Sequence, residues 1–135
     1  MRKQAKAGGF RDVLALRTIL LPRDTNGAGT IFGGVILSYI DLAGAAAARE
    51  HACQRFVTVA MKEVEFKRPV YVGDVVSFFV KIERVGRTSI TVRVRVEAER
   101  FKDCQEIVEV TVAQVVYVAV DAKGKPTPIQ PMKSR

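Results

Sequence analysis

The chain has 135 residues, 48% of them hydrophobic and 27% charged, which is the length of one domain and the composition of a globular rather than a disordered protein. A formal net charge of +8 favours anionic partners such as nucleic acid, an anionic membrane or a polyphosphate ligand. Its apolar runs are too short to span a bilayer, and residues 1–12 lack the apolar segment of a secretory signal. We therefore expect a cytoplasmic protein that does not insert into a membrane.

The sparse cysteine and histidine content argues against metal and disulfide chemistry. Cys53 and Cys104 lie far apart and form no CxxC pair, so two half-buried free thiols are expected. His51 is the single histidine of the sequence and has too few partners for a zinc site. We therefore expect no metal and no other cofactor.

The first two predicted elements are a strand and an apolar helix. Residues 13–20 have the pattern of a strand, which Pro22 ends because proline has no N–H to donate to a ladder. A loop of small residues, 24–30, leads into Gly33 and Gly34. From Gly34 to Glu50 the chain is rich in alanine and apolar almost all round, which predicts a helix that is buried on all sides.

After the helix, the pattern changes to the two-residue period of strands. Strands are predicted over residues 56–66, 75–85, 90–96 and 107–120, with short turns between them. Since these connections are too short for crossover helices, we expect a four-strand meander. The fold class is α+β, an antiparallel sheet wrapped around one long central helix. This domain would span residues 13–128, between a basic N-terminal tail, 1–12, and a C-terminal tail, 129–135.

Asp41 is the anomalous residue of the helix, because an unpaired carboxylate is costly to bury in an apolar segment. One interpretation is a structural carboxylate paired with a lysine or arginine from a neighbouring strand; the other is a functional group. Small residues on the same side of the helix could leave room for a ligand, or could allow close packing against a sheet. They are Gly34, Ser38, Gly44, Ala45 and Ala48.

The Gly33-Gly34 pair indicates a second candidate feature at the start of the helix. Backbone N–H groups are free in the first turn, and the helix dipole is positive there. Glycine allows a ligand to approach such a backbone closely, so an oxyanion could bind here. Helix capping alone is the alternative explanation for this pair.

Together these features resemble the acyl-CoA hydrolase family of the hotdog superfamily. The central resemblance is Asn26-x-x-Gly29-x-x-Phe32-Gly33-Gly34 followed by Asp41. It extends over about residues 13 to 128 through five further segments: Val57-Thr58-Val59, Phe66-x-x-Pro69-Val70, Val72-Gly73-Asp74, Gly86-Arg87-Thr88-Ser89 and Tyr117-Val118-Ala119-Val120-Asp121.

The resemblance implies a hotdog fold and the hydrolysis of acyl-CoA to a free fatty acid and CoA. It implies that Asp41 is the general base or nucleophile, that Asn26 orients the thioester or the water, and that the Gly33-Gly34 backbone binds the oxyanion. A thioester has a good leaving group, so one carboxylate can serve and no serine–histidine pair is needed. The implied substrate-binding residues are Thr58, Gly86, Arg87, Thr88 and Ser89.

The spacing of these residues also bears on assembly. Gly34 and Asp41 are seven residues apart, which is about 10 Å along one helix. An oxyanion donor at Gly34 and a base at Asp41 of the same helix can therefore act on one reacting carbon only with difficulty. Hotdog domains pair with their sheets joined, so the resemblance implies a homodimer with shared active sites, which could assemble further into a trimer of dimers.

Three other functions are less consistent with the sequence. A hotdog hydratase would carry a histidine one turn beyond its aspartate, where Ala45 and Ala46 stand. A non-catalytic acyl-CoA-binding protein that acts as a sensor would need an output module, and the residues before Val13 are too few to form one. A nucleic-acid partner is not expected, because the chain has no tryptophan, three tyrosines and no basic stretch interleaved with aromatics.

Overall fold

The structure is a computed structural model that describes residues 6–7 and 10–132. Residues 1–5, 8–9 and 133–135, which belong to the two expected tails, lie outside the described residues. The strands are β1 (Lys6–Ala7), β2 (Phe10–Arg11), β3 (Val13–Ile19), β4 (Arg55–Lys62), β5 (Val75–Val85), β6 (Ser89–Glu99) and β7 (Ile107–Val120). A short 3-10 helix covers Pro22–Asp24, and the long helix α1 covers Gly33–His51.

One antiparallel sheet and one helix form the domain. Five strands pair in the order β3-β5-β6-β7-β4, every pair antiparallel, and α1 packs across them. The α+β class and the wrapped antiparallel sheet are thus confirmed. α1 starts at Gly33 and runs for 19 residues, and in its first turn Val35 N–H donates to Phe32 O at 3.0 Å.

The expected meander of four strands is wrong for β4. This strand pairs with β7 at the edge of the sheet instead of with β5, so the meander consists of β5, β6 and β7 alone. β4 also ends at Lys62 rather than at residue 66, because Glu63 adopts a φ of 58° and leaves the ladder. The connection from there to β5 is not a tight turn. Within this connection, Lys67 N–H donates a hydrogen bond to Val110 O on β7 at 2.8 Å.

The expectation that α1 is buried on all sides is also wrong for a single chain. The inner face of β6 carries fully buried apolar residues at alternate positions, and α1 buries the face that includes Ile36, Ile40 and Ala48 against the sheet. On the opposite side of the helix, Phe32 is 57% exposed and Leu42 is 62% exposed. One sheet covers only one side of a helix, so the apolar pattern of α1 exceeds what its own chain can cover.

Both chain ends contact more of the structure than simple tails would. β1 pairs with β2 in a small separate sheet within the range assigned to the N-terminal tail. At the other end, the N–H groups of Ile129 and Met132 donate to the carbonyls of Arg87 and His51 at 2.8 and 2.9 Å. The cysteines are free, but both are exposed rather than half-buried. Across residues 6–7 and 10–132, no helix is long and apolar enough to cross a membrane.

Asp74 is a buried carboxylate that ties two loops together. It is 1% exposed, its Oδ2 accepts hydrogen bonds from Tyr71 N–H and Arg100 Nη1, and its Oδ1 accepts one from Phe101 N–H. Gly73 is in the left-handed region, at a φ of 88°, and a Cβ there would lie 2.9 Å from the Phe101 ring. The turn before β5 and the loop after β6 therefore depend on one ion pair.

We predict that Asp74→Ala lowers the free energy of unfolding by about 3–5 kcal/mol, since it leaves Arg100 with only the distant, exposed Glu106 carboxylate and removes the acceptor of two backbone N–H groups. Urea unfolding followed by circular dichroism measures the loss. The control is Glu109→Ala, which breaks the exposed Lys67–Glu109 pair and should cost no more than about 1 kcal/mol. Equal losses for the two variants would contradict the central role of Asp74.

Candidate active site

The Asp41 carboxylate lies half-buried in the middle of α1 and is held by two hydroxyl groups. Thr58 Oγ1 donates to its Oδ1 at 2.7 Å, and the Tyr117 hydroxyl lies 3.1 Å from the same oxygen. The Tyr117 hydroxyl also donates to the main-chain oxygen of Asp41 at 2.8 Å. Asp41 therefore has neutral donors rather than the lysine or arginine that a structural carboxylate would meet. None of the described residues donates a hydrogen bond to Oδ2.

The two hydroxyls reach Asp41 from adjacent strands at the edge of the sheet. Thr58 on β4 and Tyr117 on β7 are direct partners in the ladder. A register shift between Thr58 and Ala60 follows at once, and such bulges re-aim side chains near functional sites. The exposed edge strand thus supplies one donor, and the neighbouring buried strand supplies the other.

Tyr117 is buried, at 1% exposed, and its hydroxyl lies against the helix at Gly44. A Cβ built on Gly44 would lie 2.3 Å from the Tyr117 hydroxyl oxygen, so this close approach requires glycine. Burial, the nearby charge of Asp41 and the hydrogen bond to Asp41 all raise the pKa of Tyr117 above its ordinary value. The hydroxyl therefore keeps its proton and remains a donor.

Asn26 lies in the loop before α1 and organises that loop. Its Oδ1 accepts hydrogen bonds from the N–H groups of Ala28 and Thr30 at 2.9 and 3.2 Å, and its Nδ2 donates to Thr30 Oγ1 at 2.9 Å. One amide hydrogen of Asn26 remains for another acceptor. Within the chain, the side chain of Asn26 is engaged by its own loop and not by Asp41.

A cleft of about 310 Å³ opens beside the start of α1. Gly33 and apolar residues such as Ile36 form part of its lining, and Lys67 and Arg68 add positive charge. Gly33 and Gly34 occupy the first two helical positions, where N–H groups have no acceptor within the helix. A ligand group that carries negative charge could therefore bind at the N-terminus of α1.

The Gly86–Ser89 segment forms a tight reversal between β5 and β6. Gly86 N–H donates to Ser89 O at 2.7 Å, and Thr88 O accepts from Ala119 N–H at 2.8 Å. Arg87 O accepts from Ile129 N–H at 2.8 Å, whereas the Arg87 residue is exposed. The turn is fixed by its backbone and presents a cation to solvent.

The structure brings together only part of the residue set expected from the sequence. Asp41 and Thr58 are in direct contact, and the β6–β7 pairing places Ser89 beside Val118, the residue after Tyr117. The side chain of Asn26 instead bonds within its own loop. Thr58 contacts the catalytic candidate itself rather than serving solely as a substrate contact. Tyr117 and Gly44 were missed as site residues, although a tyrosine among small apolar residues on a buried face needs a partner for its hydroxyl.

Within residues 6–7 and 10–132, no group of three or more histidine, cysteine, aspartate or glutamate side chains is arranged to hold a metal ion.

Comparisons with known proteins identify the family. A family model described as the thioesterase superfamily matches residues 28–104. The acyl-CoA thioester hydrolase YciA of Salmonella typhimurium is 42% identical over 118 residues, which cover 86% of this chain and 89% of that protein.

Two solved structures are similar in fold as well as in sequence. A hexameric hotdog fold thioesterase of Campylobacter jejuni has a TM-score of 0.82 at 49% identity, and the match covers 87% of this chain and 90% of that one. A hexameric broad-specificity acyl-coenzyme A thioesterase, solved as an aspartate-to-alanine mutant enzyme, has a TM-score of 0.83 at 42% identity, with coverages of 87% and 86%. The chain belongs to the thioesterase superfamily and has its hotdog fold.

Proposed function

We propose that this chain is an acyl-CoA thioester hydrolase in which Asp41 carries the reaction. The observation on which the proposal rests is the half-buried Asp41 carboxylate, with Oδ1 bound by two hydroxyls and Oδ2 left without a donor among the described residues. The relatives support the substrate class, since one is named an acyl-CoA thioester hydrolase and another a broad-specificity acyl-coenzyme A thioesterase. In the latter, the replaced residue was also an aspartate.

Hydrolysis of the thioester requires attack on the carbonyl carbon and departure of the CoA thiolate. As a general base, Asp41 would take a proton from water while the water oxygen forms the new bond and the C–S bond breaks. As a nucleophile, it would form an anhydride that water cleaves in a second step. Both routes need an ionised carboxylate, and because thiolate is a good leaving group, neither needs a strong acid or a cofactor.

The developing negative charge on the carbonyl oxygen needs hydrogen-bond donors. The N–H groups of Gly33 and Gly34 fit this role, because they lie at the positive end of the α1 dipole and are unpaired within the helix. Asn26 has one amide hydrogen available beside them for the thioester oxygen or the water. These are the roles that we assign to the loop before α1.

The catalytic role of Asp41 predicts that Asp41→Asn lowers kcat by about 10²- to 10⁴-fold, the usual contribution of a general base. The amide keeps an oxygen for Thr58 and Tyr117 to bind, so the fold should survive. Release of free CoA from acyl-CoA, followed with a thiol reagent, measures kcat. Asp103→Asn, on an exposed loop, is the matched control and should retain activity. A folded Asp41→Asn protein with near wild-type turnover would refute the role, and loss of folding would favour a structural carboxylate.

We further propose that two chains share each active site. Gly34 and Asp41 are about 10 Å apart along α1, whereas donor and base must act at one carbon. The β4 strand has a free edge, and Val57 and Val59 on it are 42% and 55% exposed, while Leu42 on the uncovered side of α1 is 62% exposed. A second copy could cover these apolar residues and bring its own Asn26–Gly34 segment beside Asp41.

The similar structures from Campylobacter jejuni and of the broad-specificity enzyme are hexameric. Hexamers can be built as trimers of dimers, and we propose the same assembly here. The dimer would be its catalytic unit. The cytoplasmic location expected from the sequence stays a prediction.

Shared sites predict that two inactive variants, Asn26→Ala and Asp41→Ala, regain activity when they are refolded together. Random mixing makes half of the dimers mixed, and each mixed dimer has one intact and one doubly damaged site, so about a quarter of wild-type activity should return. Each variant refolded alone is the control. If both residues served the same site from one chain, no mixture could rebuild a site, and activity would stay at the level of the separate variants.

The nucleotide end of CoA is assigned to the 86–89 turn, where Arg87 is exposed on a fixed backbone. We predict that Arg87→Ala raises KM for acyl-CoA about tenfold, as expected for one lost hydrogen bond to a charged phosphate. KM for a pantetheine thioester without the nucleotide should hardly change. Lys102→Ala removes the same charge from an exposed loop elsewhere and serves as the control. Equal effects of Arg87→Ala on both substrates would reject the assignment.

A further inference from the structure

We infer that Tyr117, fitted against Gly44, is a positioning residue that orients the Asp41 carboxylate so that Oδ2 faces the reacting thioester. The inference rests on the proposed function, because it assumes that Asp41 acts chemically. It adds a residue of the buried strand β7 and a glycine of α1 to the groups that the reaction requires. Neither of them touches the substrate in this arrangement.

Two contacts of one hydroxyl carry the inference. The Tyr117 hydroxyl lies 2.8 Å from the main-chain oxygen of Asp41 and 3.1 Å from its Oδ1. The hydroxyl has one hydrogen, which these two oxygens share, so a single donor is held against both the backbone and the side chain of Asp41. Because Thr58 donates to the same Oδ1 at 2.7 Å, rotation of the carboxylate would break hydrogen bonds on two strands. Oδ1 is therefore the anchored oxygen, and Oδ2 is the one left to react.

Gly44 makes this arrangement possible. It is buried one turn beyond Asp41 on α1, and any side chain there would collide with the Tyr117 hydroxyl, which a Cβ would approach to 2.3 Å. The contacts to Cε2 and Cζ of the ring, both at 3.1 Å, are tight but less severe. The clash therefore lies mainly with the hydroxyl, which is the group that binds Asp41.

A purely structural role for Tyr117 makes a different prediction. In that case, the hydroxyl would only satisfy a helix carbonyl, and its removal would lower stability without changing the rate of the folded enzyme. A positioning role instead predicts a loss in kcat, because misplacing a reacting group raises the barrier even when the substrate binds normally. Measuring kcat and KM separately therefore distinguishes the two roles.

Tyr117→Phe keeps the ring and removes only the hydroxyl. Measured on the full chain with acyl-CoA, kcat should fall about 10- to 100-fold while KM changes less than about twofold. Tyr71→Phe makes the same chemical change at an exposed tyrosine and is the matched control. Wild-type kcat in folded Tyr117→Phe would overturn the inference.

Gly44→Ala tests the same geometry from the helix side. The added methyl group should displace the hydroxyl and lower kcat to a similar extent. In the double variant Tyr117→Phe/Gly44→Ala, the hydroxyl that the methyl group meets is absent, so kcat should match that of Tyr117→Phe alone. If Gly44→Ala does not fold, the Tyr117→Phe result still decides. Fully additive losses in the double variant would overturn the fitted pair.

Asp41→Asn separates the failure of this inference from that of the proposed function. If Asp41→Asn is inactive and Tyr117→Phe is fully active, the positioning role is wrong and the proposed function stands. If Asp41→Asn is fully active, the catalytic role proposed for Asp41 fails and the positioning role falls with it, while hydrolysis of acyl-CoA by this chain stands. Loss of kcat in both variants, with KM retained, supports both.

Discussion

The hydrogen bonds from Tyr117 and Thr58 to Asp41 join the middle of an apolar helix to two paired strands of the sheet. Apolar packing sets how closely α1 lies on the sheet, but it leaves the orientation of a side chain undetermined because it is non-directional. Hydrogen bonds are directional, and here they constrain the orientation of the Asp41 carboxylate, to which we assign the reaction. The buried core and the candidate active site thus meet at a single carboxylate.

The sheet order explains why this contact is possible. If β4 had paired with β5, as in a simple meander, Thr58 would lie beside β5 rather than beside Tyr117. The crossing from β4 to β5 instead leaves β4 paired with β7, at a free edge. The same topology that places the two donors side by side therefore also leaves β4 with a free edge.

Much of this arrangement could be predicted from residue patterns. The helix and most of the strand segments follow from an apolar, alanine-rich run and the two-residue period after it. The catalytic role of Asp41 is implied by the family resemblance and stays a prediction. The partner of β4 could not be predicted, because side-chain alternation shows which face of a strand is buried but not which strand lies beside it. Tyr117 was missed for a related reason: its inward direction follows from its position in β7, but the contact with Asp41 and Gly44 depends on how α1 crosses the sheet.

The ion pair of Asp74 and Arg100 has a consequence for the cleft beside α1. Arg100 Nη1 donates to the main-chain oxygen of Pro69 as well as to Asp74, each at 2.8 Å, and Pro69 with Val70 forms part of the cleft wall. One guanidinium therefore supports both the closure of two loops and the shape of a ligand-sized opening. We therefore expect that a change which widens the cleft at this segment also lowers the thermal stability of the whole domain.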